Sequence, residues 1–322
     1  MIRLALAGCG EHSRTSHAAP LARYAALHPE EVELVAACDL NASKASEFCQ
    51  SFGFRLGYDN LDQMLQAERP DACVCVMPME KIVEVGIKLL QRQIPCVIEK
   101  PLGTSLTEIE RLAQVARETQ TPHMVSVNRR FMPYLNQARS WMQERGPLRY
   151  VRASQVRHQR SEADFIWSTA IHVLDALRYI AGEVDRFEVT VPQNTMWYLI
   201  ELKFKSGTTG HVEIFPTAGM VEESYELFAE NCRARITAGS GTQRSIECWE
   251  DGKLVIEAHA KDEEPEDLRN GSYQEVEEFV RALQTGKHPQ PTIEDIVPSA
   301  RISFAIAESV ATCLDTVRTT SR

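Results

Sequence analysis

The sequence predicts an α/β protein of two domains. The first is a doubly wound domain with a parallel sheet, and the second is an α+β domain with a large, open, mostly antiparallel sheet. With 322 residues the chain is long for a single hydrophobic core. Short apolar runs alternate with helical patterns in the first part, whereas longer strand-like runs joined by turns dominate the second. We therefore expect the domains over residues 1–123 and 124–322.

Composition and charge disfavour several classes of function for this chain. Hydrophobic residues make up 43% and charged residues 25% of the chain, as in soluble globular proteins. The formal net charge of -10, without a basic run, disfavours binding to nucleic acid or to an anionic membrane. The nine cysteines, an odd number scattered through apolar runs, predict buried thiols in a reducing compartment and no metal site. With no leader pattern before the first strand, the predicted location is cytoplasmic.

The elements of the first domain follow in order. Apolar runs without polar alternation predict strands that are buried on both faces of a parallel sheet. Helical patterns lie between them, and the last has Leu106, Ile109 and Leu112 at helical spacing. The predicted strands are IRLALA, VELVAAC, ACVCVM, PCVIE and HMVSV, and the predicted helices extend to about Leu27 and over ASKASEFCQSF, KIVEVGIKLLQ and LTEIERLAQVARET.

The second domain is predicted from a helix followed by long strands. The helix lies near MPYLNQARSWMQ, and a second helix precedes the main run of strands. Turn signals such as Lys205-Ser206-Gly207 and Asp251-Gly252-Lys253 predict antiparallel pairing. Two further helices begin near Tyr273 and Glu294. The strand-like stretches are RYVRASQVRH, FEVTV, WYLIELKFKSG, TGHVEIFP, SYELFAENCRARITAG and RSIECWEDGKLVIEA.

The stretch AGCGEHS, after the first strand, has the glycine spacing of a dinucleotide-binding turn. Gly8 can make the tight turn, Gly10 lets the backbone approach a pyrophosphate, and Ser13 stands where a third glycine is usual. Asp39, at the end of the second strand, can accept hydrogen bonds from the adenosine ribose and repel a 2'-phosphate. A nicotinamide dinucleotide is therefore predicted, with NAD favoured over NADP. The alternative is a strand-to-helix turn that binds no nucleotide.

A second candidate site is IPCVIEKPLG, where a buried strand ends in Glu99, Lys100 and Pro101. The carboxyl ends of parallel strands face the crevice in which such sheets bind ligands. An ammonium group there can stabilise the alkoxide that develops when an alcohol loses hydride. The alternative is a lysine that merely extends from a strand end into solvent.

With these motifs the chain resembles the family of glucose-fructose oxidoreductase, inositol dehydrogenase and the rhizopine-catabolism protein MocA. Further agreement comes from VNRRFMPY, from IHVLDALRYIAG and from the carboxyl-terminal EVEEFVRALQTGKHPQPTIEDI. The resemblance implies a Rossmann domain that binds the cofactor and an open sheet that faces the substrate. It implies an NAD(P)-dependent dehydrogenase or reductase acting on the CH–OH group of a sugar, polyol or related hydroxylated small molecule.

The resemblance also implies the site residues. Lys100 polarises the reacting oxygen, and His172 is the general acid or base. A cis peptide often precedes the family's proline, here Pro101. The expected cofactor contacts are Gly8, Gly10, Glu11, His12, Asp39, Met77, Glu99, Lys100 and Asn128, and the expected substrate contacts are Trp167, Ser168 and His172.

Two departures from the family pattern bear on the chemistry. Ser168 stands four residues before His172, where the family has an aspartate, so we expect either Asp164 or Asp175 to orient the imidazole, or an unusual substrate. We expect Ser168, His172 and Asp175 to share one face of a helix. Met79, Glu80 and Lys81 also differ from the residues that the family usually has near the nicotinamide.

Alternatives to a sugar dehydrogenase remain open at this stage. One is a non-catalytic dinucleotide-binding sensor of the same fold, which the substitution at Ser168 favours. Another is a family enzyme with a non-sugar substrate. The expected partners are the small-molecule substrate and further copies of the chain, as a homodimer or homotetramer formed through the carboxyl-terminal sheet. Its long strands, such as WYLIELKF and TGHVEIFP, are expected to carry apolar residues on both faces, which fits a sheet that packs against a partner.

Overall fold

The computed structural model describes residues 1–238, 244–261 and 263–320. The chain divides into two compact units. The first comprises Met1–Asn128 and Gly271–Val297, and the second comprises Arg129–Asn270 and Pro298–Arg322. The sequence analysis had assigned all residues after 123 to the second domain, whereas residues 271–297 return to the first unit. There the N–H of Val125 donates to the carbonyl oxygen of Pro291 (2.8 Å), and Tyr24 packs on Tyr273.

The first unit is built on a parallel sheet, as predicted, with six strands where the sequence predicted five. The strand order is β3-β2-β1-β4-β5-β6, which is doubly wound because the chain leaves the central β1 in one direction and later resumes on its other side. The edge strand β3 is three residues long and largely exposed. It has no apolar run, so the sequence did not predict it. The strands are β1 (Ile2–Ala7), β2 (Val32–Cys38), β3 (Leu56–Tyr58), β4 (Ala72–Cys75), β5 (Cys96–Glu99) and β6 (His123–Ser126).

Helices join these strands, and the first helical segment is irregular. Its short α1 passes through a π-helical turn, Arg14–Ala18, before α2 begins. Asn41 caps α3 by accepting a hydrogen bond from the N–H of Lys44 (3.1 Å), which fixes where that helix starts. The helices are α1 (Glu11–Ser13), α2 (Ala19–Leu27), α3 (Ala42–Phe52), α4 (Leu61–Glu68), α5 (Met79–Gln91) and α6 (Leu106–Thr119).

The second unit contains a sheet of eight strands in the order β14-β13-β12-β11-β7-β10-β9-β8. The neighbours pair antiparallel except β7 and β10, which are parallel, so the predicted mostly antiparallel sheet is confirmed. The strands are β7 (Tyr150–Val156), β8 (Val184–Thr190), β9 (Tyr198–Phe204), β10 (Thr209–Phe215), β11 (Glu222–Ala229), β12 (Cys232–Ala238), β13 (Arg244–Glu250) and β14 (Lys253–His259).

One face of this sheet carries the core of the second unit. Alternate residues such as Ile200, Val212, Tyr225 and Ile236 are fully buried against helices. The remaining helices of the chain are α7 (Pro133–Gln143), α8 (Phe165–Ser168), α9 (Ile171–Ala181), α10 (Glu266–Arg269), α11 (Ser272–Gln284) and α12 (Ile293–Thr320), with a 3-10 turn at Asn128–Phe131.

The opposite face of the sheet is more polar than the sequence analysis expected. Strand β9 was expected to carry apolar residues on both faces, but it exposes Glu201 and Lys203. On the same face of the neighbouring β10, His211 and Glu213 are half-buried. Only one side of these two strands is consistently apolar.

Helix α12 includes a stretch, Ile293–Leu314, that is long and apolar enough to cross a membrane by length and composition. Buried helices of soluble proteins pass the same test. Within this stretch Ile306 and Val310 belong to the hydrophobic core of the second unit, and Ile293 and Ile296 are also buried. Packing therefore accounts for its apolar residues.

Candidate functional site

Gly8 makes the tight turn after β1. Its φ is +99°, a conformation that residues with a side chain rarely adopt, and its N–H donates to the carbonyl oxygen of Cys38 (2.8 Å). A Cβ atom on Gly8 would lie 1.9 Å from the carbonyl oxygen of Val76 and 3.6 Å from the sulfur of Met77. Gly10 differs, because no atom lies within 4 Å of the position that its Cβ would take. The backbone of Val76 thus fills the space next to Gly8, whereas the space next to Gly10 is free. A diphosphate group needs such free space to approach the backbone.

Asp39 joins this loop to the one that follows β2. Its Oδ2 accepts a hydrogen bond from the N–H of Cys9 (3.0 Å), and its Oδ1 accepts one from the N–H of Asn41 (2.9 Å). A carboxylate oxygen has capacity for more than one donor, so the half-buried Asp39 can still accept hydrogen bonds from ribose hydroxyls. The residues around the loop therefore fit the nucleoside end of a nicotinamide dinucleotide.

Ser13 occupies the position of the missing third glycine. It is buried, and its hydroxyl makes no hydrogen bond with any described residue, so it does not cap the helix. Its small size is what allows the helix to pack closely at this point. Glu11 and His12 lie exposed in the first turn of the same helical segment.

The strongest electrostatic feature of the first unit is the buried carboxylate of Glu99. Its two oxygens lie 2.8 Å from Nε2 of His17 and 3.1 Å from Nε2 of His12, and Nζ of Lys100 is 3.9 Å away. Burial alone would raise the pKa of Glu99, but the hydrogen bonds from the two histidines hold it well below its usual range. Glu99 is therefore a buried anion that orders the groups around it.

His17 is a residue that the sequence analysis missed. In an α-helix, residues five apart point in different directions, so His12 and His17 gave no pattern. The π-helical turn at Arg14–Ala18 changes that spacing and allows both imidazoles to meet Glu99. Ligand atoms of these three residues lie within 4.8 Å of one another, close enough to hold a metal ion, although the measured separations are those of hydrogen bonds.

The ionisation of Glu99 gives a prediction for acid stability. Because its pKa is lower in the folded protein, its stabilising contribution is present above the usual value of 4.5 and is lost as the pH falls below it. We expect Glu99→Gln to lower the free energy of unfolding by about 2 kcal/mol at pH 7. The difference from the wild type should shrink below pH 4.5 in urea unfolding curves. Glu11→Gln, which changes an exposed carboxylate of the same loop, is the control, and an equal loss there would contradict the assignment.

Lys100 follows β5 and is half-buried, with 14% of its side chain exposed. Its peptide bond to Pro101 is cis, as the family resemblance implied. Met77 follows β4, and Asn128 follows β6. Because the strands are parallel, these residues and the glycine loop lie along the carboxyl edge of one sheet. The structure thus brings together, on this edge, the cofactor residues that the sequence predicted.

In the second unit, the expectation that Ser168 and His172 share one helix is wrong. Ser168 ends α8, and α9 begins only at Ile171. Thr169 and Ala170 separate the two helices, and the φ of Thr169, -119°, differs from the usual helical value. Ser168 and His172 are both buried nevertheless.

Trp167 and Asp175 have packing partners of their own. The indole of Trp167 stacks on Phe304 with ring centres 5.0 Å apart, so one of its faces is covered. Asp175 accepts two hydrogen bonds from Arg130 (both 2.8 Å) and one from the hydroxyl of Ser299 (2.6 Å). Asp175 is thus held in place by Arg130 and Ser299, and the expectation that it orients His172 stays a prediction.

A second buried carboxylate, Glu223, was also missed. It lies on β11 and is bound by Arg129 through two hydrogen bonds of 3.0 and 2.6 Å, and by Arg157. Arg157 is therefore buried in an ion-pair cluster at the end of β7, although its neighbour His158 is exposed. The local sequence pattern does not identify Glu223 as a site residue, because the two arginines that bind it come from other parts of the chain.

Comparisons with known proteins identify oxidoreductases that are similar to this chain in sequence. A family model described as an oxidoreductase family with an NAD-binding Rossmann fold, GFO_IDH_MocA, matches residues 2–128. Myo-inositol 2-dehydrogenase of Thermotoga maritima is 20% identical over 342 residues, covering 90% of this chain and 94% of that protein. An uncharacterised protein of Saccharomyces cerevisiae, YMR315W, is 22% identical over 149 residues, 46% of this chain, and the match spans only 42% of its own length.

Solved structures share the whole fold. A dehydrogenase from Chromobacterium violaceum superposes with a TM-score of 0.84 at 20% identity, covering 100% of this chain and 99% of the other. Other structures with this fold hold NAD+ or NADH. Residues 2–128 thus match the NAD-binding domain of the Gfo/Idh/MocA oxidoreductases, and a solved structure named as a member of that family, from Vibrio cholerae, shares the fold of the chain with a TM-score of 0.80 at 21% identity.

Proposed function

We propose that this protein transfers hydride between NAD and the CH–OH group of a sugar, polyol or related hydroxylated small molecule. The observation that carries the proposal is the grouping of the glycine loop, Asp39 and Lys100 along the carboxyl edge of one parallel sheet. The names of the relatives, among them myo-inositol 2-dehydrogenase and D-apiose dehydrogenase, support the substrate class.

The proposed roles of the side chains are to stabilise charge on the substrate oxygen, to exchange its proton, and to hold the cofactor and the substrate. When bound, the nicotinamide supplies a carbon that accepts or donates hydride. Lys100, held beside the buried anion Glu99, stabilises negative charge on the substrate oxygen as the hydride moves. His172 exchanges the proton of that oxygen. Gly8, Gly10, Glu11 and His12 bind the diphosphate end, Met77 and Asn128 border the nicotinamide, and Trp167 and Ser168 contact the substrate.

The preference for NAD over NADP is part of the proposal and rests on Asp39. Its carboxylate faces the site expected for the adenosine ribose, where a 2'-phosphate would meet like charge. The next residues, Leu40 and Asn41, bring no compensating positive charge.

The test is turnover in a spectrophotometric assay. We expect absorbance at the nicotinamide band to change when the purified protein meets NAD and members of a panel of polyols, sugars and sugar acids. Lys100→Met and His172→Asn should each lower kcat by about a hundredfold, and His172→Asn should leave NADH binding in place. Lys88→Met, an exchange of a lysine on the outer side of α5, is the matched control. Tight NADH binding without turnover on any panel member would favour the sensor instead.

Two further proposals concern assembly and location. We infer a homodimer or homotetramer through the large sheet, whose uncovered face carries the aromatic residues Tyr150, Phe215 and Phe228 among charged ones. Light scattering on the purified protein tests it, and a monomeric mass would exclude it. A cytoplasmic location is supported by the free thiols of all nine cysteines.

A further inference from the structure

We propose that Glu223 is a positioning residue for His172: its buried carboxylate sets the charge beside the imidazole that Ser168 cannot supply. The proposal rests on the proposed function only for the role of His172 in proton transfer. The placement of a carboxylate near this histidine is a separate matter, and it can be tested without turnover.

The geometry around Glu223 is that of a fixed anion. Arg129 donates two hydrogen bonds to it, and Arg157 donates a third. Gln155 donates from its amide (3.2 Å), and the hydroxyl of Tyr225 donates to Oε2 (3.0 Å). Five donors on a side chain that is 3% exposed leave the carboxylate no freedom to rotate. Its charge is therefore held at one place.

The fold brings this anion towards His172. Glu223 lies opposite Gln155 in the register between β11 and β7. Helix α9, which carries His172, packs on β7. Burial alone would raise the pKa of Glu223, but the charges of Arg129 and Arg157 hold it well below its usual range. A positive charge on His172 lowers the pKa of Glu223 further, as expected for a carboxylate on β11 and an imidazole on the helix that packs on the neighbouring β7.

Other charged groups lie on α9 and on the helices next to it. On α9 itself, Asp175 is bound by Arg130 and Ser299, and Arg178 is bound to Glu183. From α8, Asp164 is half-buried at the helix start. Arg301 of α12 is exposed. Glu223, with Arg129 and Arg157, is the buried charged cluster next to the strand on which α9 packs.

The interaction must be reciprocal. If a protonated His172 favours the anionic form of Glu223, then the Glu223 carboxylate favours the protonated imidazole. Arg129 and Arg157 act in the opposite direction, because their charges repel an imidazolium. The cluster therefore sets how readily His172 holds a proton by balancing one anion against two cations.

This balance predicts shifts of opposite sign in a histidine titration followed by NMR on the full-length protein. The His172 resonance is assigned by its absence in His172→Asn. In Glu223→Gln the titration midpoint should move to lower pH, and in Arg157→Gln it should move to higher pH. Glu226→Gln is the matched control, because Glu226 lies on the same strand with its side chain on the opposite face of the sheet.

An equal midpoint in Glu223→Gln and Glu226→Gln would overturn the proposal. If Glu223→Gln does not fold, because its two arginines are left without their anion, the result for Arg157→Gln decides: an unchanged midpoint overturns the proposal. In turnover, the acidic limb of kcat should follow the midpoint while KM changes little. Shifted midpoints in a protein without turnover would contradict the proposed function and leave the positioning of His172 intact.

Discussion

Gly8→Ala is expected to destabilise the first unit severely. The new Cβ would lie 1.9 Å from the carbonyl oxygen of Val76 and 2.9 Å from its carbonyl carbon, and these are backbone atoms of a buried segment that cannot move aside alone. The φ of +99° adds strain for any side chain. We expect the free energy of unfolding to fall by about 4 kcal/mol, measured by urea unfolding. NADH binding should be lost together with the fold.

Gly10→Ala provides the contrast within the same loop. Its φ of -74° suits alanine, and nothing lies within 4 Å of the new Cβ. We therefore expect an unchanged urea midpoint but an increase in the Kd for NADH of about tenfold, because the methyl group would occupy space that the diphosphate needs. Equal losses of stability in the two variants, or unaltered NADH binding in Gly10→Ala, would contradict this description of the loop.

The first unit could be predicted closely because its signals are local. Buried parallel strands read as apolar runs, and the helices between them keep helical spacing, so Ala42–Phe52 and Leu106–Thr119 match the predicted segments. The glycine loop and Asp39 are likewise recognisable from their order along the chain. The sequence did not predict β3, because its three residues lie at the edge of the sheet and bury little apolar surface.

The missed site residues depend on geometry that a sequence does not display. His17 meets Glu99 only because a π-helical turn changes the spacing within the first helical segment. Glu223 is 94 residues from Arg129 along the chain, and Arg129 lies in a 3-10 turn, so no strand pattern relates the two residues. The spacing of Ser168 and His172 predicted one helix, but a single departure from helical geometry at Thr169 divides it. Local pattern thus predicts elements well and the contacts between them poorly.

The second large effect is expected for Asp175→Asn. Its carboxylate is fully buried and holds the guanidinium of Arg130 through two parallel hydrogen bonds, so the substitution leaves a buried cation without its anion. We expect the free energy of unfolding to fall by about 3–5 kcal/mol in urea denaturation.

The double variant Asp175→Leu with Arg130→Met tests the cause of that loss. It removes both charges and should recover most of the stability, because the penalty comes from isolating one charge rather than from losing an attraction. A double variant as unstable as Asp175→Asn would show that shape, not charge, is decisive here. Asp175 thus anchors the helix through Arg130 and Ser299, and Glu223 is a further buried carboxylate whose pKa responds to the charge of His172.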